Sequence, residues 1–291
     1  MNPVHEIGLL AARELRRGIR SAKGIALGGL TLLGAFVASL VCVWIEGADR
    51  AKGSAESTQA YVELKRQLLE QATGDAKFAD YLASIPTSLL IFLKITVWLS
   101  PLLVALLGFD AVSGELQHRT VRFWTVRSRR SSYLAGKLVG LWLLVGAVAL
   151  ALNVLAGSVA LTRGYVTPGE LVQWGARSWF VAFFISGAWA AVAIFVSSCF
   201  RTPILALLTT FAVFFVSWIA GAGGFVSRQR HAFEAGIAPR MSWYEYFYPN
   251  AYDTLLLSPE TTKVLTALGI LVGFMMITLA AGSFVFERRD I

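Results

Sequence analysis

The sequence predicts an all-α integral membrane protein with six transmembrane helices, and three observations carry that reading. Hydrophobic residues make up 56% of the chain, charged residues only 15%, and the mean hydropathy is +0.62, a balance that leaves too little polar surface for a water-soluble fold. The apolar residues gather in blocks of 22 to 24, matching the roughly 20 residues a helix needs to cross about 30 Å of hydrocarbon. Windows of about 19 residues place spans at residues 24–45, 88–109, 138–161, 178–200, 204–226 and 264–286. A secreted disulfide scaffold, a disordered tail and a soluble α/β enzyme are excluded by the same balance.

Sidedness follows from the loops. Six spans put both termini on one side, where residues 1–23, 110–137, 201–203 and 287–291 carry 14 Lys/Arg in 59 positions. The opposite segments, 46–87, 162–177 and 227–263, carry 11 in 95. Cytoplasmic loops retain Lys and Arg, so the N- and C-termini are expected in the cytoplasm, and 46–87 and 227–263 are expected to be extracytoplasmic. The net charge of +8 is therefore read as a topology signal, and no nucleic-acid partner is expected.

Taken in chain order, residues 4–20 form a basic amphipathic helix on a 100° wheel. Val4, Ile7, Gly8, Ala11, Leu15 and Ile19 share one face, Leu9 is the exception, and Glu6, Arg13, Arg16, Arg17 and Arg20 lie opposite. Such a helix is expected to lie in the membrane interface, with Arg13, Arg16, Arg17 and Arg20 facing lipid headgroups. The first span follows without an A-x-A-like cleavage site, so it is expected to be retained rather than removed as a signal peptide. In residues 56–82, Tyr61, Leu64, Leu68, Phe78 and Tyr81 recur at near-helical spacing and predict one or two short helices capping the outer surface.

The second span holds Lys94, the one ionisable side chain within the spans, with no acid inside a span to pair with it. It is read as snorkelling outward, with a substrate contact as the alternative. Asn153 in the third span is a candidate for a hydrogen bond to a neighbouring helix. Gly24-x-x-x-Gly28 and Gly269-x-x-x-Gly273 have the spacing of close helix contacts. Gly221, Gly223 and Gly224 permit a bend or re-entrant turn at the end of the fifth span. The aromatic run Trp243, Tyr244, Tyr246, Phe247, Tyr248 and Tyr252, broken at Pro249-Asn250, reads as an interfacial belt, with a cargo-binding surface as the alternative. Five residues follow the sixth span, so no soluble C-terminal domain is expected.

Catalytic patterns are missing from the sequence. There is no G-x-x-x-x-G-K-[ST] phosphate loop, since Gly136-Lys137 lacks the upstream glycine and the following hydroxyl. His5, His118 and His231 fall in three segments on two sides of the membrane, and neither H-E-x-x-H nor G-x-S-x-G occurs. Cys42 and Cys199 lie inside spans and read as small apolar residues. No catalytic residue, metal or cofactor is assigned to this chain.

The stretch Asp110 to Lys137 is too long for a simple turn. Ser113 is placed to cap a short helix, and the basic run through Arg130 offers a docking or headgroup-facing surface. With its acid, its glutamate Glu115, Thr120, the Arg130-Ser131 pair and Gly136-Lys137, this loop resembles the loop of type-2 ABC transporter permeases, the exporter-class membrane subunits. The basic N-terminal helix, the six spans, the tight turn at Arg201-Thr202-Pro203, the longer segment before the sixth span and the terminal Phe-x-Arg-Arg-Asp extend that resemblance over essentially the whole chain. Arg119 departs from it, standing where the family usually has glycine.

The resemblance implies a permease in the cytoplasmic (inner) membrane, driven by ATP hydrolysis in a separate ABC ATPase subunit that holds the ATP and Mg. It implies that residues 110–132 are the cytoplasmic coupling loop, with Val112, Ser113, Glu115, His118 and Arg119 at the ATPase, and Glu115 and Arg119 as its polar contacts. It also implies a second permease copy, identical or not, around a shared route. Export of a lipid-like, amphipathic or peptide cargo is the expected function. The alternatives are a secondary transporter or channel, and an intramembrane enzyme or accessory protein.

Overall fold

The computed structural model describes residues 2–51, 55–73, 75–125, 128–235 and 243–288, and every regular element among them is helical. The helices are α1 (Pro3–Arg20), α2 (Ala22–Ala51), α3 (Ala55–Thr73), α4 (Ala76–Ala83), α5 (Thr87–Gly108), α6 (Ser113–Gln117), α7 (Val121–Thr125), α8 (Arg130–Thr162), α9 (Pro168–Cys199), α10 (Pro203–Ala235), α11 (Asp253–Leu257) and α12 (Thr261–Glu287). Two 3-10 turns, Trp243–Phe247 and Pro249–Tyr252, lead into α11. Six helices, α2, α5, α8, α9, α10 and α12, are long and apolar enough to cross a membrane. Even the 22 residues of α5 extend about 33 Å.

The central helix is α9, packed on α8, α5, α12 and α10. Its interior run of Gly187, Ala188, Ala190, Ala191, Ala193, Ser197 and Ser198 is almost wholly buried, because small side chains let neighbouring backbones close in. It starts at Pro168, well before the expected residue 178. Thr167 and Glu170 form a reciprocal capping box there, so hydrogen bonding rather than hydropathy sets the boundary. Against α8, Gly146 leaves room for the Phe183 ring, which stacks on Trp142 at 4.6 Å between centroids.

One end of the bundle, here the near end, carries α1, α6, α7 and the start of α8. The far end carries α3, α4 and residues 243–257. At the far end, Phe78 and Tyr81 pack on the core, but Leu64 and Leu68 of the expected stripe stay exposed and Leu69 packs instead. Tyr61 lies where no side chain is described.

Pro101 anchors the far-end segment indirectly. It cannot donate to the Val97 carbonyl one turn back in α5. That carbonyl instead accepts from Asn250 Nδ2 at 3.0 Å and Ser100 Oγ at 2.8 Å, while Asn250 Oδ1 accepts from Trp189 Nε1 at 2.7 Å. The Pro249-Asn250 break in the aromatic run is thus a fixing point. The run itself divides: Trp243, Tyr246 and Phe247 are exposed, and Tyr252 is buried. Burial, followed by the Asp253 carboxylate, pushes the Tyr248 hydroxyl up to about 12, and burial also raises Tyr252, so both remain neutral at physiological pH.

Three expectations are corrected here, and Lys94 gains a partner from outside the spans. Gly221, Gly223 and Gly224 make no re-entrant turn, since α10 continues to Ala235. Gly221 and Gly224 instead admit Tyr248 and Glu245, whose atoms lie 2.4 and 2.2 Å from where a Cβ would stand. Lys94 is paired, with its Nζ 2.6 Å from Asp253 Oδ2, an acid supplied by the far-end segment rather than by a span. Asn153 Nδ2 donates to Ala149 O of its own helix at 2.9 Å, not to a neighbour. A Cβ at Gly28, Gly269 or Gly273 would meet nothing within 4 Å, and at Gly24 the close atoms belong to Gly18 and Ser21 of the adjoining turn. Neither expected glycine pair therefore packs two spans of this chain together.

Candidate functional site

The near end is built from α1 upward. Asn2 caps that helix, its Oδ1 accepting from Val4 N at 3.1 Å. Three stripes then run along it. Ile7, Leu10, Ala11, Glu14 and Gly18, at i, i+3, i+4, i+7 and i+11, face α8. Val4, Gly8 and Ile19 form an exposed, largely apolar stripe beside it. Arg13, Arg16, Arg17 and Arg20 make up the third. The single apolar face read from the wheel is thus divided, with Ile7 and Ala11 turned to protein and Val4 and Ile19 left outside.

Close approach of α1 to α8 depends on Gly136-x-x-x-Gly140, a small-residue pair that the sequence reading passed over in favour of two others. A Cβ at Gly136 would stand 2.5 Å from Leu10 Cβ, and one at Gly140 would stand 2.6 Å from Glu14 Cβ and 3.0 Å from Ala11 O. This contact brings Glu14 to Lys137, with Nζ 2.6 Å from Oε2. The same Nζ lies 2.7 Å from Glu115 Oε1. Arg17 Nη1 donates to Glu115 Oε1 at 2.8 Å, and the Tyr133 hydroxyl donates to Glu115 Oε2 at 2.8 Å. Two carboxylates and two cations balance, and Lys137 and Glu115 are only 3% and 4% exposed.

A cluster of this kind adds little net stability over apolar packing, because desolvating the charges offsets their attraction. It does specify geometry. Displacing any one of α1, α6 or α8 separates charges of which Lys137 and Glu115 are already out of water, so the cluster fixes the three helices against one another. A second pair, Lys23 with Asp110, ties the start of α2 to the end of α5. Arg13 stacks over the Trp124 ring at 3.6 Å, tying α1 to α7.

Ser113 was expected to cap α6, but it occupies the first helical position and its Oγ donates to Phe109 O at 2.8 Å. The cap comes from α9. Ser197 Oγ accepts from Val112 N at 3.1 Å and Ser113 N at 3.0 Å, and donates to Phe109 O at 2.8 Å. The central helix therefore holds the first turn of α6, satisfying donors that a helix start leaves open.

The end of α6 explains Arg119. Thr120 N donates to Glu115 O at 3.0 Å and Arg119 N to Leu116 O at 3.2 Å, the pairing of a Schellman motif, whose penultimate residue is left-handed. Arg119 has φ of 56°, and no other non-glycine among the described residues has positive φ. The arginine thus adopts the backbone that glycine favours. Arg119→Gly is expected to keep the turn and stabilise the chain by about 0.5–1 kcal/mol, the left-handed cost less the flexibility of glycine. Thermal unfolding of the purified chain measures this, and a lower midpoint would contradict it.

Of the residues expected at a partner surface, Val112, Ser113 and Glu115 have their side chains inside the chain, at 0%, 0% and 4% exposure. His118 and Arg119 are exposed, as are Arg122 and, at 73%, Phe123. The four arginines expected at headgroups, Arg13, Arg16, Arg17 and Arg20, are all exposed, and Arg13 and Arg17 also make the contacts given above. Glu14, Tyr133 and Ser197 were not singled out from sequence, and Lys137 entered only as half of the Gly136-Lys137 pair. Only Glu14 left a readable signal, as an acid in register with Ile7 and Ala11, where an apolar residue belongs unless a cation is buried opposite.

Residues 9–291 match the family model described as ABC-2 family transporter protein. No curated protein matches the chain.

Proposed function

The chain belongs to the ABC-2 transporter family, and from that membership we propose that it is the permease subunit of an ABC exporter, worked by a separate ATPase that docks on the near end. The observation that carries this reading is the division of labour in residues 110–125. A buried charge cluster centred on Glu115 joins α6 to α1 and α8, beneath an exposed basic and aromatic surface of His118, Arg119, Arg122 and Phe123.

In this reading the ATPase presses on His118, Arg119 and Phe123. Glu115, Ser113 and Val112 transmit the displacement inward: Glu115 through Lys137 to α8 and α1, and Val112 and Ser113 through Ser197 to α9. Closure of the ATPase on ATP and Mg is thereby converted into movement of packed helices. The termini and residues 110–132 face the cytoplasm, residues 46–87 and 227–263 face outward, and the membrane is the inner membrane. The helix α1 lies in the interface, with its exposed Val4 and Ile19 toward acyl chains and Arg16 and Arg20 toward headgroups. Two permease copies enclose a route with largely apolar walls, which favours a lipid-like, amphipathic or peptide cargo.

Arg119→Glu combined with Phe123→Ala is expected to abolish copurification of the ATPase and to reduce stimulated ATP hydrolysis at least tenfold, with an unchanged unfolding midpoint for the permease. Wild-type recovery of the ATPase with the double variant would remove this surface from the docking site. Uphill flux by the isolated chain in vesicles, without a companion, would favour the secondary-transporter alternative.

A further inference from the structure

Between α2, α5 and α8, with α9 as its floor, lies an apolar cavity of about 310 Å³. Leu27, Gly34 and Ala38 line it from α2, Leu99 and Leu106 from α5, and Ala149 from α8. The α2 positions keep to one helical face, and the small side chains among them, Gly34, Ala35 and Ala38, leave the gap unfilled. The cavity is a half-open groove rather than a sealed void, with Leu30, Leu99 and Leu102 of its lining still exposed, and its volume is about twice that of an apolar cavity of about 150 Å³ that takes up benzene.

The lining decides the chemistry of an occupant. Four hydroxyls reach the cavity, from Thr31, Thr96, Ser100 and Ser186. Each donates to a carbonyl of its own helix at 2.8 or 2.9 Å, so none offers a proton to a polar guest. Water, which needs two to four polar partners, is poorly held. The shape is elongated, since the α5 wall from Phe92 to Leu106 covers about 21 Å at 1.5 Å per residue. A long wall without available donors suits an extended hydrocarbon chain.

The near end of the cavity carries charge. Lys23 lies one turn before Leu27 on α2, Asp110 one turn after Leu106 in α5 and its continuation, and the two are paired. Lys23 Nζ also sits 4.2 Å from the centre of the Phe109 ring. Arg20, the last residue of α1, is exposed three residues before Lys23 along the chain.

We propose that the cavity holds one acyl chain of an anionic phospholipid of the bilayer, with its headgroup at Arg20 and Lys23. The assignment rests on the proposed orientation, in which the near end lies at the anionic cytoplasmic leaflet. The lipid fills the gap behind α2 and fixes that outer helix against α5 and α8, as a resident component rather than cargo.

The test uses the full chain in vesicles containing phosphatidylglycerol with a photoactivatable diazirine in its acyl chain, and adducts mapped by mass spectrometry. Labelling between Leu99 and Leu106 is expected to exceed, several-fold, that at the outward-facing Leu208 and Ile277, which are 60% and 73% exposed. A phosphatidylcholine probe with the same chain should label the cavity several-fold less. Gly34→Leu, where a Cβ meets nothing within 4 Å, should cut cavity labelling several-fold and leave Leu208 and Ile277 unchanged. Ala149→Phe provides an independent way to fill the space.

Equal labelling of cavity and outer faces, equal labelling by the two probes, or undiminished labelling in both variants overturns the proposal. So does release of the cavity lipid on ATP turnover in preparations that retain the ATPase, which would make it cargo. Since the labelling arms require neither ATPase nor transport, their failure is separable from failure of the proposed permease function.

Discussion

Lys137→Met is expected to destabilise the chain by about 3–5 kcal/mol, the cost of leaving buried charge uncompensated, and Glu115→Gln by about 1–3 kcal/mol. The ordering follows from the geometry of the cluster. Lys137 is the cation shared by Glu14 and Glu115. Without it two carboxylates are left close together, and Arg17 is the one cation still bonded to the more buried one, beside the neutral Tyr133 hydroxyl. Glu115→Gln is milder, because Lys137 keeps Glu14, Arg17 is half exposed and can turn to water, and the main loss is the acceptor of the Tyr133 hydroxyl. Thermal unfolding in detergent, followed by tryptophan fluorescence, checks the order. A smaller loss for Lys137→Met than for Glu115→Gln would mean that Lys137 does not hold the cluster together. In the proposed mechanism both variants also lower stimulated ATP hydrolysis, and Lys137→Met lowers it further.

The second large effect is expected at a glycine. Gly140→Leu places a side chain where Glu14 Cβ lies 2.6 Å and Ala11 O lies 3.0 Å from the Cβ position. Neither a Cβ nor a backbone carbonyl can swing aside, so α1 must move off α8, at an overpacking cost of about 1–3 kcal/mol. Separation of α1 also breaks the Glu14–Lys137 and Arg17–Glu115 contacts. Faster tryptic cleavage at Arg13, Arg16, Arg17 and Arg20 should accompany it, as local opening exposes the backbone. Gly269→Ala provides the contrast: a Cβ there meets nothing within 4 Å, so neither stability nor cleavage should worsen. Equal losses from both substitutions would overturn the assignment of the close contact to the Gly136 and Gly140 pair.

These glycines also mark how far the sequence could be read. Gly24-x-x-x-Gly28, Gly136-x-x-x-Gly140 and Gly269-x-x-x-Gly273 have identical spacing, and spacing does not report what stands opposite. Only the tertiary arrangement, which lays the Ile7–Ala11 face along the start of α8, selects the middle pair. Lys94 illustrates the same limit. No acid was available within the spans, and the partner, Asp253, comes from 159 positions away in a segment read as loop. Ser113 looked like a cap because it stood at a helix start, whereas Ser197 of another helix performs that role.

What the sequence determined alone is the membrane class and the number of spans. The thickness of hydrocarbon requires about twenty consecutive apolar residues, a local property written in contiguous blocks. It also disclosed the loop bearing Glu115, since its pattern of residue types is contiguous too. The tertiary structure decided that Glu115 faces inward, that Lys137 joins it to Glu14, and that Asn250 takes the carbonyl freed by Pro101. Each of these is a pairing between groups distant in the chain, and the low-dielectric interior fixes such partners by which helices meet, a quantity no window of neighbouring residues contains.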